Sequence, residues 1–151
     1  MSKNMEGDNI MDKFADILAD LIKEKGLSLR KIASLSNVSA TQYGKYLKGA
    51  YPTIEVAVRI SDFFCCSLDY LFGINDNNVY SNTNYDLSKF IPRYLKLLKE
   101  NDITHWKFAK ENDLSESCLR HWKYGETPKI ESLIKIATSL SSSIDYLIGR
   151  R

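Results

Sequence analysis

The sequence has few of the residues that form disulfides, bind metal ions or act in catalysis. It has three cysteines, two of them adjacent at Cys65 and Cys66, and this odd count without a regular spacing excludes a disulfide framework. No CxxC pair is present, so a structural zinc site is not expected. With two histidines, no nucleophile motif and no glycine-rich phosphate loop after a strand, the sequence lacks the parts of a catalytic site. We therefore expect no enzymatic activity, no metal, no cofactor and no small-molecule ligand.

Long apolar runs are missing as well. Among the longest is Phe63-Phe64-Cys65-Cys66, which is far short of the roughly 20 residues that span a membrane. Residues 1–13 have mixed charge and lack the apolar stretch and the small-residue cleavage site of a secretory signal. With 44% apolar and 26% charged residues, the composition is ordinary for a globular chain. These features predict a soluble cytoplasmic protein that does not bind a membrane.

The sequence does contain an internal repeat. Shifted by 76 residues, it aligns with itself without a gap, and both copies end in the pattern SxDYLxG. Further matches include Lys23-Glu24 with Lys99-Glu100, Gly49 with Gly125, and Pro52-x-Ile54-Glu55 with Pro128-x-Ile130-Glu131. Because two copies are too few for a solenoid, we predict two homologous domains, at residues 11–73 and 87–149. The Asn-rich stretch 74–86 between them is predicted to be a linker that would span about 20 Å if flexible.

Helical periodicity accounts for both copies. The apolar pattern that begins at Phe14 predicts an amphipathic first helix that ends at Gly26. Hydroxyl residues that can cap the later helices stand at Ser28, Ser39 and Ser67 in the first copy, and at Thr104, Ser115 and Ser143 in the second. Pro52-Thr53 and Pro128 are predicted to open the fourth helix of each copy. No alternating run of β-branched residues predicts a strand. The expected fold class is all-α, with five helices in each of two tandem domains.

The second and third helices of each copy are joined by a three-residue turn, which is the pattern of a helix-turn-helix motif. The segment LSLRKIASLSNVSATQYGKYLKG, followed by a proline and SLDYLFG, resembles the lambda-repressor or Cro-type (Xre) helix-turn-helix family. Family positions are matched by Ala33, Val38, Ser39, Gly49, Pro52, Ser67, Asp69, Leu71 and Gly73, and in the second copy by Ala109, Leu114, Ser115, Trp122, Gly125, Pro128, Ser143, Asp145, Leu147 and Gly149. The resemblance implies a regulator of transcription that binds a double-stranded DNA operator, with repression by promoter occupancy as the simplest mechanism.

The resemblance also implies which residues contact DNA. Bases would be read from the start of the third helix and one turn further on, by Ala40, Thr41 and Lys45 with Gln42 beside them, while Ser39 and Lys48 would hold phosphates. The corresponding DNA-binding residues of the second copy are Ser115, Glu116, Ser117, Arg120 and His121. Glu116 is ambiguous, because a carboxylate can accept from cytosine but also repels phosphate.

The sequence departs from the family pattern at three kinds of position. The Gln that opens the second helix is replaced by Leu29 and His105, which puts one phosphate contact in doubt. The glycine of the turn is replaced by Asn37 and Asp113, residue types that tolerate the left-handed conformation. An Arg–Glu pair between the first and third helices is replaced by Ile22 with Leu47 and by Leu98 with Lys123, and an apolar pair can replace a buried ion pair without loss of stability.

Aromatic and metal-ligating residues have simpler interpretations. The spacing of Tyr43, Tyr46, Leu119 and Trp122 favours core packing over stacking on DNA, whereas Trp106 and Tyr124 are left open as surface or interface anchors. Cys66 is expected to be buried. Cys118 and His121 share one helix face, but two ligands do not make a metal site.

Two hypotheses for function follow. In the first, the tandem copies form an intramolecular pseudo-dimer, or a homodimer, that reads operator half-sites roughly 34–36 Å apart. In the second, the protein is an interaction module, similar to an antitoxin or anti-repressor, whose degenerate second domain serves association. Glu116 and the missing Gln of both copies motivate the second hypothesis.

Overall fold

The computed structural model describes the backbone of residues 2–151 and the side chains of residues 13–151. Within this range the chain is helical and contains no strand, which confirms the all-α fold class. It divides into two compact units, Met1–Asn82 and Thr83–Arg151, called here the first and second unit. The prediction that residues 1–13 hold no secretory signal concerns side chains that, apart from that of Lys13, lie outside the described residues.

The first unit contains five helices. They are α1 (Ser2–Lys25), α2 (Leu29–Ser36), α3 (Ala40–Leu47), α4 (Ile54–Phe64) and α5 (Leu68–Leu71). The core side chains include Phe14 and Leu18 of α1, Ile32 of α2 and Tyr43 of α3, all of them buried. Phe14 also packs against Phe72, with 4.7 Å between the ring centroids, so the end of α5 closes the core against the first helix.

The second unit has helices in the same order. A short 3-10 helix, Leu87–Lys89, leads into α6 (Phe90–Glu100), followed by α7 (His105–Glu111), α8 (Cys118–Lys123), α9 (Ile130–Ser139) and α10 (Ile144–Leu147). The helices α2, α4 and α5 begin 76 residues before α7, α9 and α10. Trp122 of α8 packs edge-on against Phe90 of α6, with 4.9 Å between the ring centroids. That the second unit is a second copy of the same domain stays a prediction.

Left-handed backbone conformations follow the same spacing. Every residue with positive φ in the described chain has a partner 76 positions away: Gly26 with Asp102, Asn37 with Asp113, Gly49 with Gly125, Cys65 with Ser141, and Gly73 with Gly149. Asn37 and Asp113 both have φ of 59°, which confirms the left-handed turn predicted for them. Because such residues end helices and set the direction of the chain that follows, the two units turn at the same places.

The stretch predicted as a linker is divided between the two units. The Asn78 side chain accepts from the Ser67 amide at 2.9 Å and donates to the Cys65 carbonyl at 3.1 Å. Tyr80 hydrogen-bonds the Asp62 carboxylate at 3.1 Å. Residues 75–80 are therefore tied to the first unit by specific hydrogen bonds, and the estimate of a freely flexible 13-residue spacer does not describe them.

The second unit extends beyond its predicted bounds at both ends. The Asp86 amide donates to the Ile148 carbonyl at 2.7 Å, and a side chain at Gly149 would collide with Asp86. Arg150 is buried, lies 3.7 Å from the Asp145 carboxylate and donates to the Thr83 carbonyl. The buried guanidinium thus balances the buried aspartate of the SxDYLxG pattern, a role that the repeat could not reveal because the first copy has Ile74 at that position.

We predict that Asn37→Ala destabilises the first unit by about 1 kcal/mol, because a Cβ-bearing residue without a short polar side chain is strained in the left-handed region. Asn37→Gly should retain full stability, since glycine has no such strain. Urea unfolding followed by circular dichroism measures both, with Ser34→Ala on the exposed side of α2 as the control. A loss in the glycine variant equal to that in the alanine variant would contradict the backbone explanation.

Candidate nucleic-acid interface

The turn between α2 and α3 is fixed by backbone hydrogen bonds. The Ser28 hydroxyl accepts from the Lys31 amide at 3.1 Å and caps α2, as the sequence predicts. At the other end of α2, the amides of Asn37 and Val38 both point back to the Ala33 carbonyl. Val38 is buried and anchors the turn in the core. The angle between the two helices is therefore held by α2 itself and by one apolar side chain.

The start of α3 carries a complete capping box. The Ser39 hydroxyl accepts from the Gln42 amide at 3.1 Å, and the Gln42 side chain accepts from the Ser39 amide at the same distance. Gln42 also hydrogen-bonds Tyr46. Gln42, predicted beside the base-reading residues, thus holds the helix together, while the Ser39 hydroxyl keeps its own proton to donate.

Buried tyrosines hold the inner side of α3. The Tyr43 hydroxyl lies 2.7 Å from the Ser36 hydroxyl, which in turn donates to the Ile32 carbonyl. Burial raises the pKa of Tyr43, so the hydroxyl stays protonated at neutral pH. Tyr46 packs near Phe14, with ring centroids 6.1 Å apart. The prediction that both tyrosines belong to the core is confirmed, and α3 is fixed in rotation about its axis.

The outer side of α3 is free of such constraints. Ala40, Thr41 and Lys45 are exposed on the helix, and Lys48 is exposed at its C-cap. Thr41 and Lys45 are four residues apart, so they lie on the same side of the helix one turn apart. The structure thus brings the predicted contact residues of the first copy to one surface, and their contacts with DNA stay a prediction.

Arg59 of α4 reaches this motif, although the sequence did not single it out. It donates to the Glu55 carboxylate at 2.8 Å and to the carbonyl of the turn residue Asn37 at 3.4 Å. The i,i+4 spacing of Glu55 and Arg59 was visible in the sequence. The contact with the turn depends on how α4 packs, which no local pattern indicates.

The corresponding region of the second unit is built differently. Helix α8 begins at Cys118, and its N-cap Ser117 forms no side-chain cap. The Ser115 hydroxyl lies 2.8 Å from the Ser117 hydroxyl and accepts from the Ser117 amide. The prediction that Ser115 caps the third helix is therefore wrong, and Glu116 and Ser117 stand in a turn before the helix. Arg120 and His121 are on α8 and exposed.

The two helix starts also differ in the residue that could complete a capping box. The first copy has Gln42 at the third helical position, and its amide side chain bonds back to the cap residue. The second copy has Cys118 there, and a thiol is too short and too weak an acceptor to do the same. The Ser115 hydroxyl accepts instead from the amide two residues on, and α8 starts two positions later than the 76-residue spacing predicts from α3.

His105 is held within the second unit by both of its ring nitrogens. The Tyr94 hydroxyl lies 2.7 Å from Nδ1, and Nε2 lies 3.2 Å from the Glu116 carbonyl. Because a carbonyl can only accept, Nε2 carries the proton and Tyr94 donates to Nδ1. Burial raises the pKa of Tyr94, which keeps that donor protonated. The residue that replaces the family's phosphate-contacting Gln thus joins α6, α7 and the turn before α8.

The remaining candidate residues of α8 have local partners. Trp122 is buried, as predicted, and Leu119 is half-buried. His121 lies 3.4 Å from the Glu126 carboxylate. The Cys118 sulfur is 3.9 Å from His105, and burial raises the pKa of its thiol. Among the residues whose side chains are described, no group of three or more His, Cys, Asp or Glu is arranged to hold a metal ion.

The helix-turn-helix region of the first unit and the corresponding region of the second unit differ in charge. Residues 28–50 carry four cations and no carboxylate, namely Arg30, Lys31, Lys45 and Lys48. The corresponding residues 104–126 carry Lys107, Lys110, Arg120 and Lys123 together with Glu111, Asp113, Glu116 and Glu126. All twelve side chains are exposed. The first surface is therefore positive, and the second is neutral on balance.

No helix in the described part of the chain is long and apolar enough to cross a membrane.

We predict that Ser39→Ala lowers the free energy of unfolding of the first unit by about 1 kcal/mol, because it removes a complete cap. The matched variant Ser115→Ala should lower that of the second unit by less, since its hydroxyl caps no helix. Circular dichroism follows the first change, and tryptophan fluorescence follows the second, because both tryptophans lie in the second unit. Equal losses would contradict the difference between the two caps.

Comparison with known families agrees with this geometry in the first unit. Residues 18–71, about a third of the chain, match the family model described as helix-turn-helix, which is of the Cro/C1 type. No curated protein and no solved structure matched the chain. The first unit therefore contains a helix-turn-helix domain of the Cro/C1 type, the kind of domain found in DNA-binding regulators of transcription.

Proposed function

We propose that the protein is a sequence-specific regulator of transcription that inserts α3 of the first unit into the major groove of double-stranded DNA. The surface of residues 28–50 carries this proposal, since this stretch presents four exposed cations, contains no carboxylate and includes a helix that is anchored from its inner side. The Glu55 carboxylate near the turn is paired with Arg59. A protein that neutralises phosphates with Lys and Arg gains affinity from released counterions. The helix-turn-helix match of this unit supports the same function.

The exposed residues of α3 would divide the work of recognition. Ala40 and Thr41 present methyl groups that suit thymine, and Lys45 suits the acceptors of guanine. Lys48, together with the free hydroxyl proton of Ser39, would bind phosphates and set the register of the helix in the groove. These contacts would occlude a promoter, so the protein would act as a repressor in the cytoplasm.

The second unit is proposed to be a copy of the same domain with a different task. The shared helix spacing and the five pairs of left-handed residues support common ancestry. Its shortened third helix and four carboxylates argue against equal use in the major groove, because each carboxylate there would face phosphates. We therefore assign the second unit to association with another protein chain, which is the role that the interaction-module hypothesis gives to this domain.

We expect in vitro selection of bound DNA to assign base reading to the first unit. The full chain should enrich a defined sequence, and Thr41→Ala and Lys45→Ala should change the preferred bases, because they remove direct contacts to base edges. His121→Ala, at the position corresponding to Lys45, is the matched control and should leave the preference unchanged. If His121→Ala alone changes it, base reading belongs to the second unit; if the wild type enriches nothing, the protein is an interaction module.

We also expect Lys48→Ala to weaken binding to every DNA sequence rather than to change the preferred one. Loss of one phosphate contact should reduce the slope of log affinity against log salt by about 1. Fluorescence anisotropy with labelled operator, over a range of salt concentrations, measures this slope. Lys99→Ala removes one exposed charge from α6 of the second unit and should leave the slope unaltered. Equal slopes for wild type and Lys48→Ala would contradict the phosphate role.

A further inference from the structure

The second unit exposes two large aromatic side chains beside its third helix. Trp106 on α7 is 54% exposed, and Tyr124 at the end of α8 is 86% exposed. Tyr124 also lines an open groove of about 420 Å³, together with His105, Glu116, Leu119, Arg120 and Lys123, and Trp106 directly follows the lining residue His105 in the chain. The name aromatic face is used below for Trp106, Tyr124 and this groove. Large exposed aromatic residues next to a groove are typical of surfaces that bind a partner.

The aromatic face occupies positions that carry charge in the first unit. Seventy-six residues earlier, Trp106 and Tyr124 correspond to Arg30 and Lys48. Two exposed cations of the first unit, one of them the proposed phosphate contact Lys48, are thus replaced by residue types that often anchor protein–protein interfaces. A third change, from Ala40 to Glu116, adds a carboxylate to the same surface.

Both aromatic side chains stand on ordered supports. The Tyr124 amide donates to the carbonyls of Arg120 and His121, which fixes it at the end of α8. The Lys110 ammonium lies 5.0 Å from the centre of the Trp106 ring. Next to Trp106, His105 is held by Tyr94 and by the Glu116 carbonyl. A surface ordered before binding loses less conformational entropy when a partner docks.

The charges of the groove indicate which partner fits. Glu116 stands with Arg120 and Lys123, so the groove carries both signs within one surface. A polyanion such as DNA would meet the carboxylate, whereas a second copy of this surface, turned by a two-fold axis, can place carboxylates opposite cations in both directions. We infer that the aromatic face docks on the aromatic face of a second copy of the chain.

A dimer formed in this way also supplies the second recognition helix that a two-fold operator requires. This consequence rests on the proposed function. One chain supplies a single α3 with positively charged side chains around it. Operators are commonly read by two such helices, on half-sites about 34–36 Å apart. Self-association through the second unit supplies the other helix. The affinity for a two-fold operator then depends on protein concentration, because dimer formation precedes or accompanies binding.

The test is the mass of the full chain in the absence of DNA, measured by analytical ultracentrifugation over a range of concentrations. The wild type should form a dimer, and the double variant Trp106→Arg, Tyr124→Lys should raise the dimer dissociation constant by about thirtyfold or more, as expected for the loss of a strong interface anchor. The introduced residues are those of the first unit at the same helical positions, so the helices tolerate them. Leu95→Ala, at a 40% exposed residue of α6 that does not line the groove, is the control and should leave the constant unchanged.

Each other outcome is informative. In the double variant Trp122 is the one remaining tryptophan, so an unchanged emission from this buried residue shows that the second unit is folded. A monomeric wild type, or a dimer that the folded double variant retains, overturns the inference. A monomeric wild type whose DNA affinity falls in the double variant would assign the face to DNA instead. A dimer that selects no DNA sequence would refute the proposed function and leave this inference standing, whereas Lys45→Ala should lose specificity and remain a dimer.

Discussion

The sharp reversal of the chain between the second and third helices is the constraint on which the rest of each unit depends. It requires one residue in the left-handed conformation, at Asn37 and again at Asp113, and a buried or half-buried apolar residue directly after it. In the first unit, the Ser36–Tyr43 hydrogen bond then holds α3 from its inner side. Because the direction of α3 and its rotation about its own axis are both fixed, the positions of its outer side chains on the surface of the unit are fixed as well.

Local chemistry explains which parts of the fold the sequence could predict. Caps such as Ser28, Thr104 and Ser143 depend on residues within three positions, and the structure confirms them. The start of α8 depended on the same kind of pattern, but the Ser115 hydroxyl accepts from the amide two residues on rather than three, and it caps no helix. A serine at the predicted cap position therefore does not by itself fix where a helix begins.

Contacts between distant residues explain what the sequence could not predict. Arg150 is buried beside Asp145 and Thr83, which are five and 67 positions away, and no periodic pattern connects the three. Arg59 reaches the turn at Asn37 only because α4 packs against α2. For the candidate site, the pattern indicated which residues stand on α3, while the exposure of Trp106 and Tyr124 required the packed structure. The two units differ in surface chemistry although their positive-φ residues stand at the same 76-residue spacing.

The attachment of residues 75–80 to the first unit has a consequence for the order of events during synthesis. Once Tyr80 has left the ribosome, every hydrogen bond described for the first unit can form, including those of Asn78 with the chain around Ser67. In the second unit, the hydrogen bond from the buried Arg150 guanidinium to the Thr83 carbonyl joins the two ends of the unit, and it can form only after Arg150 has been made. Domains generally fold as units, N-terminal first, during translation. The half of the nascent chain that carries the positive helix can therefore be native while the aromatic half is still being made, which separates the folding of the two similar sequences in time.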